Sequence, residues 1–319
     1  MRNNQTILIV GTSQIALDYI KILTYLNFDV IVVGRKNEKI NLIKYKYPNV
    51  TCYAGGIENY CIKNKNLPNF AINTVDIVNL FNVSNILIRN NIKNILIEKP
   101  GSITSEELKD LINLKNIYNT NIYIGYNRRF YNSVLELKRL INTDGGIRNV
   151  HFEFTEWVDT INTNSFHPIT LNKWIYSNSS HVIDLVFYII GFPKILHSFT
   201  SGENKISWHK SASIFFGSGI SIENTPFTYN TNWLSSGRWC IEFMTEKNRY
   251  TLKPMEKLYV QKINSLDINE LSFDNQDDIN FKPGLFKQVS DFLNYKFENL
   301  VSLDYQIQNF YFFNKIGNY

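Results

Sequence analysis

The chain has 319 residues, 44% of them hydrophobic and 19% charged, which supports two domains with a core each and excludes disordered or fibrous chains. Lys and Arg number 33 against 28 Asp and Glu, a net charge of +5, but the basic residues are scattered, so neither a nucleic-acid partner nor a membrane surface is expected. Cys52, Cys61 and Cys240 form no CxxC pair or ligand cluster, and the N-terminal apolar run is too short for a signal peptide or a membrane span; the expectation is a cytoplasmic protein with reduced thiols and no metal.

Thr6 to Val10 is a buried β run followed by Gly11, Thr12, Ser13, Gln14, Ile15 and Ala16, and then by a helix with apolar positions at Ile15, Tyr19, Ile22 and Leu26. Strand, tight turn and helix is the order a dinucleotide-binding loop needs: Gly11 permits the turn, Ala16 lets helix approach strand, and the first helical N–H groups face a pyrophosphate. Ser13 stands where a second glycine is usual, and Gln14 and Ile15 complete the candidate loop; one glycine at a strand-to-helix turn is by itself a common structural feature. The next strand, Asp29 to Val33, ends in Gly34, Arg35 and Lys36, where an NAD enzyme usually carries an acid for the ribose 2′-hydroxyl. A glycine makes room and two cations suit a 2′-phosphate, so NADP(H) is favoured, with NAD(H) as the other option; otherwise this is a solvated basic loop. Short β runs at Val50 to Tyr53, Phe70 to Thr74 and Asn94 to Ile97, with a helix from about Asp76 to Asn90, predict a doubly wound parallel sheet covered on both faces.

Glu98, Lys99, Pro100 and Gly101 follow a buried strand, at the strand end where open α/β sheets bind ligands. Thr104 and Glu107 form a capping box for an amphipathic helix, and the strand Ile122 to Gly125 ends in Tyr126, Asn127, Arg128, Arg129 and Phe130. In this order EKPG, a helix and GYNRRF resemble the glucose-fructose oxidoreductase/inositol dehydrogenase (Gfo/Idh/MocA) family. The run from Trp174 to Leu185 resembles the His-x-x-Asp helix of that family, in His181 and Asp184, with Gly191 as its stop.

The resemblance implies an NAD(P)-dependent dehydrogenase or reductase acting on CH–OH groups, with Lys99 close to the nicotinamide and the reacting oxygen and His181 and Asp184 on the substrate side. His181 and Asp184, three apart, share one helix face, so the carboxylate can orient the imidazole; a satisfied buried pair is the other reading. Thr74, Glu98 and Lys99 join the cofactor candidates, and Tyr126, Asn127, Arg128, Ser177 and His181 the substrate candidates, with Arg128 able to hold an anionic substituent such as a nucleotide-sugar phosphate. The sequence departs from the family pattern at Ser177, where many of these dehydrogenases carry an aspartate, and at Thr74-Val75, where Thr-Pro is common. Loss of that aspartate keeps a second reading open, a dinucleotide-sensing regulatory protein on the same fold without turnover.

From about Asn149 the texture changes to alternation, with Val150, Phe152 and Phe154 against His151, Glu153 and Thr155. Further runs at Ala212 to Ile222, Trp239 to Met244, Arg249 to Leu252 and Lys257 to Lys262 predict an α+β domain with a large, mainly antiparallel open sheet. The expected division is a Rossmann domain at residues 1–122 and a substrate-binding and oligomerisation domain at residues 123–319. An aromatic open sheet face suits a homodimer or homotetramer, and the small-molecule partner is sugar-like: a sugar, cyclitol or nucleotide sugar. The Asp267 to Asp278 stretch is the most loop-like segment, and Tyr305 to Ile316 is a closing amphipathic helix.

Overall fold

In the computed structural model, which describes residues 3–319, the apolar runs of the N-terminal part form strands separated by helices. In chain order these are β1 (Asn3–Val10), α1 (Gln14–Tyr25), β2 (Phe28–Gly34), α2 (Asn37–Lys46), β3 (Thr51–Ala54), α3 (Gly56–Lys63), β4 (Phe70–Asn73), α4 (Leu80–Arg89), β5 (Asn94–Glu98), α5 (Ser105–Tyr118) and β6 (Asn121–Gly125). There follow α6 (Asn132–Thr143), β7 (Asn149–Glu153), α7 (Pro168–Asn172), α8 (Ser180–Ile190), β8 (Pro193–Ser201), β9 (Ile214–Ser221), β10 (Pro226–Asn232) and β11 (Cys240–Met244). The chain closes with β12 (Asn248–Leu252), β13 (Tyr259–Lys262), β14 (Ile268–Glu270), α9 (Gln276–Asn280), α10 (Leu285–Leu293), β15 (Val301–Ser302) and α11 (Leu303–Gly317).

Two compact units result, one reaching to Tyr126 and taking in Asn280–Gln308, the other made of Asn127–Ile279 and Asn309–Tyr319. The first holds a sheet in the order β15-β6-β5-β4-β1-β2-β3, parallel except for β15, which pairs antiparallel with β6. The order 3-2-1-4-5-6 is that of a doubly wound dinucleotide fold, and its strands are apolar throughout because helices cover both faces. Ile7, Leu8, Ile9, Phe70, Ala71, Ile72, Ile95, Leu96 and Ile97 are fully buried. Part of that cover comes from α10, whose Phe292 meets Phe70 edge to face at 5.5 Å. At the start of α5, Thr104 Oγ1 accepts from the Glu107 N–H at 3.2 Å, and the Glu107 carboxylate accepts from the Ile103 N–H at 3.0 Å, the reciprocal arrangement that the sequence spacing implies.

The second unit is built on an eight-stranded sheet in the order β14-β13-β12-β11-β7-β10-β9-β8, antiparallel at every pair except β7 with β10. Period-two alternation sends Val150, Phe152, Phe227, Tyr229, Ile241 and Phe243 to one buried face, where Phe152 stacks on Tyr229 at 5.3 Å. Helix α8 lies on that face, with Phe187 against Phe227 at 5.9 Å; each such buried ring contributes about 1.5–3 kcal/mol of transfer free energy. The opposite face is mostly polar, but β8 and β9 expose Ile195 and a stacked Phe199–Phe216 pair.

Three readings of local structure differ. The Asp267 to Asp278 stretch, expected as loop, contains β14 and the start of α9, because Tyr259, Val260 and Gln261 offer an open strand edge that pairs with it. Strands β8 and β10 were not anticipated, since Ser, Thr, Asn and Lys break their apolar pattern. The helix expected from Asp76 opens as a 3-10 turn, Ile77–Asn79, before α4. No described helix is long and apolar enough to cross a membrane.

Candidate active site

In the first unit a cleft of about 640 Å³ opens at the C-terminal ends of β1, β2 and β4. Gly11 leaves β1 with φ +129°, and its N–H donates to the Val33 carbonyl at 3.0 Å. A Cβ there would collide with the Thr74 hydroxyl and lie 2.9 Å from the Thr74 carbonyl, so glycine is required both for the backbone angle and for the approach of the two loops. Thr74 closes the same corner, donating to the Val10 carbonyl from its N–H at 2.8 Å and from Oγ1 at 3.0 Å, while its own carbonyl accepts from Ser13 Oγ at 3.1 Å. Ser13 therefore turns its hydroxyl away from the helix it precedes. No side chain caps α1 and no acid lies in its first turn, which leaves its N-terminal N–H groups for an anion.

Gly34, Arg35, Lys36 and Lys39 line the second wall, facing Glu58 and Asp76. A Cβ on residue 34 would stand 2.5 Å from Thr12 Cγ2 and 3.0 Å from Ile40 Cδ1, so a side chain at the end of β2 would require Thr12 to shift. Arg35 and Asp76 form an ion pair at 3.8 Å with both side chains mostly in solvent. Of the cofactor candidates, Gly11, Ser13, Gly34, Arg35, Lys36 and Thr74 line this cleft, whereas Gln14 and Ile15 form the first turn of α1 outside its wall. Glu98 ends β5 and Lys99 follows it, both partly buried. Burial pushes the Glu98 carboxyl above the usual carboxylate range; the Tyr19 hydroxyl, which donates to it at 2.7 Å, and the Lys99 charge oppose that rise. Gln288 in turn donates to the Tyr19 hydroxyl at 3.0 Å. The exit from β5 is tied by Gln306, whose Nε2 donates to the Pro100 carbonyl at 2.9 Å and to the Tyr126 hydroxyl at 3.1 Å, so Tyr126 is a buried strut.

In the second unit the residues after β6 and the start of α8 form a polar cluster within an apolar core. Arg129, buried, donates to Asp184 from Nε at 2.8 Å and from Nη2 at 2.6 Å, and Asn309 Nδ2 donates to the same carboxylate at 2.9 Å. Asp184 thus has both oxygens occupied by Arg129 and Asn309, and Arg129 also covers the Tyr188 ring at 4.4 Å. His181 is buried in the first turn of α8, its ring 6.1 Å from that of Trp239. A π-helical turn, Ile175–Ser179, leads into α8, and Ser177 in it donates to the Thr170 carbonyl at 3.1 Å.

Glu156 organises this region. It is buried and accepts from Ser179 Oγ at 2.7 Å, Asn178 Nδ2 at 2.9 Å, Arg238 Nη1 at 3.1 Å and Trp239 Nε1 at 3.3 Å, so one carboxylate fixes the turn before His181 and the start of β11 together. Burial raises the Glu156 carboxyl from its ordinary value, and these donors with the Arg238 charge pull it back. Arg128 lies over Trp239 at 4.8 Å, beside a small cleft of about 140 Å³ that it lines with Arg238, Trp239, Pro254, Met255 and Glu256; Asn127 is buried next to it. Sequence reasoning singled out neither Glu156, Arg238, Trp239 nor Gln306, and only the start of β11 at Trp239 carried any local signal. Among the described residues no group of three or more His, Cys, Asp or Glu side chains is placed to hold a metal.

A 3-2-1-4-5-6 parallel sheet with a glycine turn after β1, together with a large mostly antiparallel sheet in a second unit, defines a two-domain Rossmann oxidoreductase fold. The neighbours among solved structures are Gfo/Idh/MocA-type oxidoreductases, and the chain has their fold. The dehydrogenase MviM of Clostridium difficile aligns with TM-score 0.78 and 17% identity over 99% of both chains. An Agrobacterium radiobacter oxidoreductase in complex with NAD+, L-tartaric acid and magnesium aligns with TM-score 0.78 and 12% identity over 98% of this chain and 95% of its own. The WlbA dehydrogenase of Chromobacterium violaceum, in complex with NADH and UDP-GlcNAcA, aligns with TM-score 0.72 and 12% identity over 98% and 92%. No protein-family model and no curated protein matches the sequence.

Proposed function

We propose that this chain is an NAD(P)(H)-dependent oxidoreductase acting on a hydroxyl or ketone of a sugar, cyclitol or nucleotide sugar. The observation that carries the reading is the cleft at the end of β1, where Gly11, Thr74 and the uncapped start of α1 form a cradle for a pyrophosphate. NADP(H) is the favoured cofactor, because Gly34 stands where an acid would hold a ribose 2′-hydroxyl and Arg35, Lys36 and Lys39 line that wall. The neighbours' complexes with NAD+ and NADH keep NAD(H) as the second option, and their tartrate and UDP-GlcNAcA support a polyhydroxylated substrate.

When bound, the nicotinamide supplies or accepts the hydride. Lys99 polarises the substrate oxygen and relays its proton, His181 exchanges that proton with substrate or solvent, and Asp184, saturated by Arg129 and Asn309, anchors α8 so that the imidazole is presented in one place. Tyr126 and Gln306 hold the turn that carries Lys99. Tyr126, Asn127, Arg128, Ser177 and His181 remain the proposed substrate-side contacts. The expected division at residues 1–122 and 123–319 is proposed as cofactor and substrate domains, with Asn280–Gln308 returning to the first, and the exposed Phe199, Phe216 and Ile195 of β8 and β9 support a homodimer or homotetramer. Calorimetric titration with NADPH and NADH, followed by cofactor-oxidation and cofactor-reduction assays on a panel of sugars, sugar acids and cyclitols, tests the reading. Micromolar binding with turnover supports it; binding without turnover on any member favours the sensing protein, and no binding of either dinucleotide refutes both.

A further inference from the structure

The cleft beside Trp239 holds a charge that no carboxylate of the described residues meets within ion-pair distance. Arg128 is partly buried, and its contacts are a long hydrogen bond from Nη1 to Asn127 Oδ1 at 3.4 Å and the rings of Trp239 at 4.8 Å and Tyr131 at 5.8 Å. Among the described residues no carboxylate forms an ion pair with it, in contrast to Arg129 with Asp184 and Arg238 with Glu156. A guanidinium carries five donors, so most of the Arg128 edge has no acceptor among the described residues. Burying a cation is costly unless it is paired and hydrogen-bonded, and a side chain kept in this state is expected to meet its partner in a ligand.

The surroundings hold that edge in place. Arg238 lies over Trp239 at 4.8 Å and over Trp157 at 4.7 Å, giving a continuous run of ring and guanidinium contacts from Trp157 through Arg238 and Trp239 to Arg128 and Tyr131. Glu156 spends its charge on Arg238, Asn178, Ser179 and the Trp239 indole, and Glu256, exposed at the rim, attracts Arg128 and interacts with the Tyr131 hydroxyl without closing an ion pair to the guanidinium. The cleft, of about 140 Å³, admits one small charged group of a ligand, and Trp239 connects it to the His181 ring at 6.1 Å.

We infer that the cleft formed by Arg128, Trp239 and Arg238 is a substrate subsite for an oxyanion, a carboxylate or a phosphate, so that the substrate is an acidic rather than a neutral sugar. The inference rests on the proposed oxidoreductase reading and adds the class of substrate. A planar carboxylate would receive two parallel N–H bonds from Arg128, and a phosphate would receive the same fork on two of its oxygens.

The test uses the full chain and calorimetry with D-glucose, D-glucuronate and D-glucose 6-phosphate, in the presence of saturating NADPH whose own affinity is measured first. At least one acid is expected to bind tenfold or more tightly than glucose, and which one does so distinguishes carboxylate from phosphate. Arg128→Met is expected to erase that discrimination and Arg128→Lys to restore part of it, with thermal midpoints recorded for both so that a folding defect is seen. Saturable binding of neither acid, equal binding of glucose, or full discrimination in a folded Arg128→Met protein overturns the inference. Failure of both NADPH and NADH to bind would instead remove the oxidoreductase reading on which it rests, and NADH replaces NADPH in the titrations if it alone binds.

Discussion

Replacing Asp184 by asparagine separates a chemical from an architectural role for the residue that the sequence pairs with His181. Its carboxylate accepts two bonds from Arg129, at 2.6 and 2.8 Å, and one from Asn309 at 2.9 Å, and the side chains of Asp184 and Arg129 are 1% and 3% exposed. Asparagine keeps the shape but turns one acceptor into a donor facing the guanidinium and leaves Arg129 charged in an apolar core. Breaking a buried pair from one side costs about 3–5 kcal/mol, which for a unit of this size corresponds to a fall in melting temperature of roughly 6–20 °C. The double variant Arg129→Met with Asp184→Leu removes both charges, so its loss is expected to be smaller than the sum of the single losses. Thermal and urea unfolding followed by circular dichroism measure all three, with calorimetric NADPH binding as a check that the first unit is intact. An Asp184→Asn protein within about 0.5 kcal/mol of the parent refutes the anchoring argument, and if turnover is lost while stability is kept, the carboxylate returns to the chemistry.

Other expectations are independent of it. His209, buried with Nδ1 donating to the Ala212 carbonyl at 2.9 Å and Nε2 accepting from the Tyr319 hydroxyl at 2.7 Å, is lowered by burial to about 4. Because the unfolded chain binds this proton near 6.5 and the folded one does not, the stability is complete above 6.5 and is lost as pH falls towards 4, the loss reaching about 2 kcal/mol by pH 5; the difference in unfolding free energy between the parent and His209→Gln, measured from pH 7.5 to 5, should show that slope. Arg35→Asp is expected to narrow or reverse the preference for NADPH over NADH in calorimetry while leaving the melting temperature nearly unchanged, since the side chain is 75% exposed; an unaltered preference would remove the cofactor argument. Lys99→Met should keep dinucleotide affinity but lower turnover by about 10²–10⁴-fold, and normal turnover would make Lys99 structural.

The features legible in the sequence are those encoded over a few residues. Continuous apolar runs marked the parallel strands, alternation marked β7 and β11, and Gly11, Thr104 with Glu107, and the His181 helix marked turns and caps, because hydrophobic period and turn chemistry act locally. Tertiary structure alone decided which side chains these elements bring together. Nothing around Arg129 states that it, rather than His181, takes both oxygens of Asp184 55 residues away. Nor does the chain near Pro100 announce that Gln306 ties its carbonyl to Tyr126, or the chain near Tyr19 that Gln288 holds the hydroxyl donating to Glu98. The return of Asn280–Gln308 to the first unit has the same origin: α10 is an amphipathic helix that would suit many surfaces, and it is Phe70 in a strand far upstream that Phe292 meets. Glu156 is the sharpest case, an acid at a strand end that reads as solvent-exposed until Ser179, Asn178, Arg238 and Trp239 converge on it. Periodicity reports that a face is buried; which donors and charges meet there depends on register and topology, set by the whole chain at once.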